Sequence, residues 1–161
     1  MNFIYVDKIL KMTPGKSICA IKRIREDEEI FQVHYPGYPV IPGSFLIEMM
    51  AQTAGRCLDA EKRPRGLSML ARVKSASFRM YVGPKQEAFI NGEIVVNQDN
   101  VATAICNIKV NDNMVCNGEL FFTFIPYDKL AKGFRDEVLE SYFSEINKFK
   151  SGGKNGRSII P

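Results

Sequence analysis

The sequence predicts an antiparallel α+β fold, with one buried helix set among strands joined by hairpins. Three observations predict it. From Phe45 to about Asp59 only Gly55 interrupts a helix, and apolar residues lie on nearly every side, the mark of a helix enclosed by protein. Around it, residues 3–12 and 17–26, and then about 67–82, 86–98, 101–111 and 114–125, read as strands. Short turn sequences link neighbouring strands, which makes those neighbours antiparallel.

In chain order, Thr13-Pro14-Gly15 closes the first hairpin, since proline presets one dihedral and glycine accepts a positive one. Pro36, Pro39 and Pro42 then keep residues 35–43 out of any helix interior and stiffen that loop. Pro42-Gly43-Ser44 looks like a helix start, with Ser44 or Gly43 near the N-cap. After the helix, 61–66 is a polar loop, and Gln98-Asp99-Asn100 and Asn111-Asp112-Asn113 mark two more hairpins. Beyond Pro126, the four-residue spacing of Leu130, Phe134, Val138, Tyr142 and Ile146 predicts an amphipathic helix over 127–150. That helix is expected to pack on the body of the protein, to cover a tunnel mouth or to bind another protein. Residues 151–161 read as a flexible tail. The expected organisation is a core domain over 1–126, the extra C-terminal helix and the tail.

With 161 residues and 45% hydrophobic content the chain suits one core, not two domains. No apolar run approaches a membrane span and no signal pattern opens the chain, so the expected compartment is the cytoplasm. Cys19, Cys57, Cys106 and Cys116 contain no C-x-x-C pair, and with a single histidine they make no zinc set. They are expected to be free, buried or half-buried thiols.

The chemistry concentrates in residues 34–55. His34, the one imidazole in the chain, precedes the proline loop, and the apolar segment that follows, up to Gly55, carries one carboxylate, Glu48, and one amide, Gln52. At helical spacing Ser44, Glu48, Ala51, Gln52 and Gly55 share one small, polar face that suits a cavity wall. The N–H groups of a first helical turn have no intrahelical acceptor and can receive a developing oxyanion, and Gly43 adds no side chain to obstruct approach. An imidazole is a base near neutral pH, and a carboxyl in an apolar site can serve as an acid. Base, acid and oxyanion donor thus come from one segment. Fourteen positions separate His34 from Glu48, so the two need not meet within one chain.

The stretch His34-Tyr-Pro-Gly-Tyr-Pro-Val-Ile-Pro-Gly43, followed by the helix containing Glu48-Met-Met-Ala-Gln52, resembles the signature of the 3-hydroxyacyl-[acyl-carrier-protein] dehydratases. That pattern is His-Phe-Pro-Gly, a variable residue, Pro-Val-Met-Pro-Gly, then Glu-Ala-Met-Ala-Gln in the helix. The likeness extends over about residues 3–125, through Tyr5-Val-Asp-Lys-Ile-Leu10 and Ala76-Ser-Phe-Arg79. It implies a hotdog fold, an antiparallel sheet wrapped around a central helix, paired into a homodimer or a trimer of such dimers. It further implies active sites at the dimer interface, with no cofactor and no metal. His34 is the implied base and Glu48 of the partner chain the implied acid. The Gly43 N–H is the implied donor to the thioester carbonyl, and the Val40 carbonyl holds the His34 tautomer. Ser44 and Gln52 line the implied substrate tunnel. Val33 stands where the family usually has glycine, Tyr35 replaces Phe, Ile41 replaces Met and Ser44 replaces an apolar residue. These departures bear on substrate range more than on reaction type.

The expected reaction removes water from a 3-hydroxyacyl carrier-protein thioester to give the trans-2-enoyl product, in fatty acid or related polyketide or aryl-polyene synthesis. Two other readings of the residues stay open: an acyl-thioester hydrolase in which Glu48 activates water, and a non-catalytic acyl-binding or assembly subunit. Lys62, Arg63, Arg65, Arg72, Lys74, Arg79 and Lys85 form a run with no acid among them. It is either a solvated strand face or a landing surface for an acidic acyl carrier protein. No nucleic-acid recognition motif accompanies it.

Overall fold

The structure is a computed structural model and describes residues 4–63, 65–130, 133 and 135–152. Six antiparallel strands form one sheet: β1 (Lys8–Thr13), β2 (Ser17–Arg23), β3 (Leu67–Phe78), β4 (Glu87–Asn97), β5 (Ala102–Val110) and β6 (Asn113–Ile125), in the spatial order β1-β2-β4-β5-β6-β3. The helix α1 (Gly43–Asp59) packs against this sheet, and α2 (Glu137–Gly152) follows the last strand. The expected α+β arrangement, one helix held by an antiparallel sheet with a further C-terminal helix, is what the chain adopts.

Side-chain size explains the close fit. The strands turn Ala20, Ala88, Ile90, Ala102, Ala104, Cys106, Ile108 and Leu120 into the core, against Met49, Met50, Ala54 and Leu58 of α1. Small residues on the strands leave room for the cylinder of the helix, and the methionines of α1 fill what remains. The β5–β6 hairpin turns through Asn111 (φ 48°) and Asp112 (φ 63°), the left-handed pair that a two-residue hairpin requires.

Several boundaries differ from expectation, each for a local reason. At the start of the chain the strand is shorter than expected: the Tyr5 N–H donates to Gln52 Oε1 of α1 at 2.9 Å, while the Asp7 N–H still reaches the Ile21 carbonyl of β2 at 2.9 Å. Pro42, not Gly43 or Ser44, is the N-cap of α1, and no side chain caps it. β3 ends at Phe78 because the chain then turns inward. Val82 is fully buried, and its carbonyl accepts the Ile41 N–H at 2.7 Å. The C-terminal helix does not begin at Tyr127. Residues 127–129 form a 3₁₀ turn, Leu130 is extended (ψ 155°) and Gly133 takes φ 83°, which an α-helix does not tolerate. Asp136 then caps α2, its Oδ1 accepting the Leu139 N–H at 3.1 Å. α2 continues through Ser151 and Gly152, and the rest of the expected tail, 153–161, lies outside the described residues.

The two edges of the sheet end differently. α2 lies over β1, where Val138, Leu139 and Tyr142 pack near Ile9, Ile18 and Cys57 and the Met12 N–H donates to the Tyr142 hydroxyl at 3.0 Å. β3 forms the other edge. It is 12 residues long, mostly exposed and interrupted by two register shifts against β6.

Candidate active site

His34 is fixed by its neighbours in sequence. Residues 29–32 make a 3₁₀ turn whose Ile30 carbonyl accepts the His34 N–H at 2.9 Å. Tyr35 and Tyr38 exchange backbone hydrogen bonds across Pro36-Gly37, and Gly37 takes φ 82°, the glycine position of a type II turn. The turn folds the loop back so that the Val40 carbonyl meets the imidazole: Nδ1 and Val40 O are 3.0 Å apart. With the proton on Nδ1 donated to that carbonyl, Nε2 carries the lone pair. The Tyr35 ring stacks on the imidazole at 4.2 Å between centroids. Val33 sits at φ −121° with its side chain 69% exposed, so a residue with a Cβ fits this position without strain.

Pro42 cannot donate, and no side chain caps the first turn of α1, so the Gly43 and Ser44 N–H groups stand at the positive end of the helix without a capping partner. Phe78 crosses this point. A Cβ on Gly43 would come 3.0 Å from its ring, a close approach that the half-exposed Phe78 would have to relieve by shifting. Ser44 lies exposed beside it.

Glu48 and Gln52 lie one turn apart on the face expected from their spacing. Gln52 Nε2 donates to Glu48 Oε1 at 3.0 Å while Gln52 Oε1 accepts the Tyr5 N–H, so the amide is oriented from both ends and aims the carboxyl. Glu48, Ala51, Gln52 and Gly55 line a groove of about 390 Å³ between α1 and the start of β3. His34 does not line it. Within one chain the structure does not bring the expected base and acid into one cavity.

The far end of that groove holds charged groups that the sequence reading missed. Arg56, the residue after Gly55 on the same helix, is buried, and its Nε lies 3.0 Å from Asp136 Oδ2. Asp59 accepts both the backbone N–H of Ser68, at 2.8 Å, and its hydroxyl, at 3.1 Å. Burial pushes the Asp59 carboxyl up to about 6, against the opposing pull of the Ser68 hydrogen bonds. The available signal was a pair of charged residues, Arg56 and Asp59, in the last turns of a largely apolar helix.

The basic run splits. Arg65 turns inward: its side chain is 6% exposed, and its guanidinium bonds Glu61 and lies over the Phe124 ring at 3.9 Å. It is a packing residue and leaves the expected landing surface. Arg63 pairs with Glu61, Lys74 with Glu119 and Lys85 with Glu26. Arg79 bonds Asn117, and Lys62 and Arg72 are exposed. All four cysteines are free thiols, three of them buried. Burial holds Cys57 and Cys116 at about 11 and Cys106 at about 12, far from thiolate chemistry at neutral pH.

Comparison with known proteins adds an independent line. A family model described as a FabA-like domain matches residues 1–119. The 3-hydroxyacyl-[acyl-carrier-protein] dehydratase FabZ of Lactobacillus helveticus is 36% identical over 130 residues, covering 80% of this chain and 86% of that protein. The protein of the same name from Syntrophomonas wolfei is 34% identical over 121 residues, 74% of this chain and 84% of that protein. Among solved structures, the dehydratase heterocomplex ApeI:P from Xenorhabdus doucetiae superposes with a TM-score of 0.63 at 14% identity, over 79% of this chain and 86% of that one. A hypothetical thioesterase with coenzyme A from Streptococcus pneumoniae gives a TM-score of 0.60 at 12% identity, over 74% of this chain and 85% of that one. At such identities these structures speak for the shared fold.

Proposed function

The chain belongs to the FabA-like family, and from that membership we propose that it dehydrates 3-hydroxyacyl thioesters carried on acyl carrier protein, in fatty acid synthesis. The observation that carries the reading is the pairing of His34 Nδ1 with the Val40 carbonyl directly before an uncapped helix start at Gly43. His34 Nε2 takes the proton from the α-carbon. The Gly43 N–H stabilises the negative charge that moves onto the thioester oxygen. The bond from the β-carbon to its hydroxyl then breaks, a carboxyl proton from Glu48 leaves with the hydroxyl as water, and the electron pair closes the trans double bond. His34 holds one proton and Glu48 has lost one, so the pair returns to its starting state by exchange with solvent. The route calls on no cofactor.

The acid comes from a second copy of the chain, in a homodimer. Support for this lies in the separation of His34 from the Glu48 groove and in the β3 edge, where Met69 (44%), Val73 (39%) and Phe78 (50%) are partly exposed. An edge strand of this length with apolar exposure is a template for pairing. The working compartment we assign is the cytoplasm, where a carrier-protein substrate is met. No helix among the described residues is long and apolar enough to cross a membrane.

Mass spectrometry of a 3-hydroxyacyl carrier protein incubated with the enzyme tests the reading. Loss of one water is expected, with His34→Ala and Glu48→Gln each slowing it by about a hundredfold or more. Release of free carrier thiol instead would make the protein a hydrolase, and binding without any mass change would make it an acyl-binding subunit. Arg72 and Lys74 remain the centre of the carrier-protein surface. Reversing both to Glu is expected to lower kcat/KM about tenfold at low salt for the carrier-bound substrate but not for the pantetheine thioester.

A further inference from the structure

The Glu48 groove does not end at a wall of core side chains. It is bounded by Asp59, Leu67 and Asp136, and the same three residues line a second, larger cavity of about 990 Å³ on their other side. That second cavity runs beneath α2 and is lined by Tyr127, Leu139 and Phe143 among others. Between the two stands the Arg56–Asp136 ion pair, its side chains 10% and 23% exposed. Arg56 is held further by the Gln52 carbonyl, at 3.1 Å from Nη1, and Asp136 is anchored as the cap of α2.

We propose that this ion pair, with Asp59 beside it, is a polar partition that closes the acyl groove from the cavity under α2 and sets the longest acyl chain the enzyme accepts. The inference rests on the dehydratase reading for the identity of the ligand. Arg56 lies two helical turns past Glu48, about 12 Å along the axis at 1.5 Å per residue. An acyl chain whose β-carbon sits at Glu48 therefore runs along Ala51, Gln52 and Gly55 and meets the guanidinium at medium length. Each methylene up to that point leaves water for apolar contact. The next must either abut a buried charge or push Arg56 off Asp136, and separating a buried pair costs more than a methylene returns. The residues of the partition come from α1 and the cap of α2, so the C-terminal helix takes part in substrate selection.

The test uses saturated acyl-pantetheine thioesters, from butyryl to palmitoyl, which bind but have no hydroxyl to lose. Calorimetric affinities are compared for the wild-type full chain, Asp136→Asn, and the double variant Arg56→Met with Asp136→Asn. Asparagine retains the cap on Leu139, and Met fills the volume of Arg56 without its charge. Wild-type affinity is expected to rise about fourfold per methylene and then level off at medium length. In the double variant the rise is expected to continue to longer chains, with Asp136→Asn between the two. The same levelling point in all three proteins, or none in the wild type, overturns the proposal. Because binding is read without turnover, a levelling point that moves while no hydroxyacyl substrate is dehydrated would sink the dehydratase reading and leave the partition standing.

Discussion

The two ends of α1 do different work and are built differently. At the N-terminal end, His34, Val40 and Gly43 lie within ten positions of one another and are set by a turn, a proline N-cap and backbone hydrogen bonds. The groups that would act there on substrate are one imidazole nitrogen and uncapped N–H groups. At the C-terminal end, Arg56, Asp59, Ser68 and Asp136 come from α1, β3 and the cap of α2, and Arg56 and Asp136 are 80 positions apart. Ionic contacts dominate there, shielded from water. Local backbone geometry thus sets the reacting groups, while tertiary assembly sets what lies beyond them. Variation at the second end can change substrate range without disturbing the first.

The reacting end is complete only when two chains meet, if the acid comes from the partner. His34→Ala and Glu48→Gln should each be inactive alone. If the base of one chain works with the acid of its partner, mixing and re-pairing the two inactive proteins restores about a quarter of wild-type turnover, because half the dimers are mixed and each carries one intact site. Steady-state rates after refolding the mixture give the answer. No recovery, with dimers shown by sedimentation, means that each chain uses its own pair, and the separation of His34 from the Glu48 groove must then close by movement.

How much could be read from the sequence follows the same division. The hairpins were legible because Asn111-Asp112 and the proline loop contain residues whose dihedral preferences admit few conformations. The polar face of α1 was legible because helical spacing is fixed: Glu48, Ala51, Gln52 and Gly55 share one groove, while Ser44, the other residue expected on that face and in the tunnel, does not line it. Arg56 stood in plain view on that helix, but its partner Asp136 belongs to a cap that only the folded chain brings near. Arg65 was misread for a related reason. A run of basic residues shows its charge in sequence but not that Glu61 and Phe124 draw one member inward. The start of α2 was lost because apolar spacing continues through 127–136 while Gly133 and the extended Leu130 break the backbone.

The smallest of the expected effects tests whether burial or pairing governs the C-terminal end. Asp59 has its carboxyl raised from 3.8 to about 6, chiefly by burial. A folded-state value above the unfolded one means the native protein binds more protons between pH 4 and 6, so this group's contribution to stability is greatest below about pH 4. It declines as pH rises through 6 and then stays flat. The difference corresponds to about 3 kcal/mol at neutral pH as an upper figure. In Asp59→Asn the amide oxygen still accepts the Ser68 N–H, and the Ser68 hydroxyl can turn to accept from the amide nitrogen. Some attraction to Arg56 is lost, so the net gain expected at pH 7.5 is about 1–2 kcal/mol, shrinking toward zero at pH 4. Urea unfolding of both proteins at the two pH values reads this directly. A variant less stable than the wild type by the same amount at both pH values would mean that the Asp59 charge is retained for its attraction to Arg56, and that the partition is held by pairing against the penalty of burial.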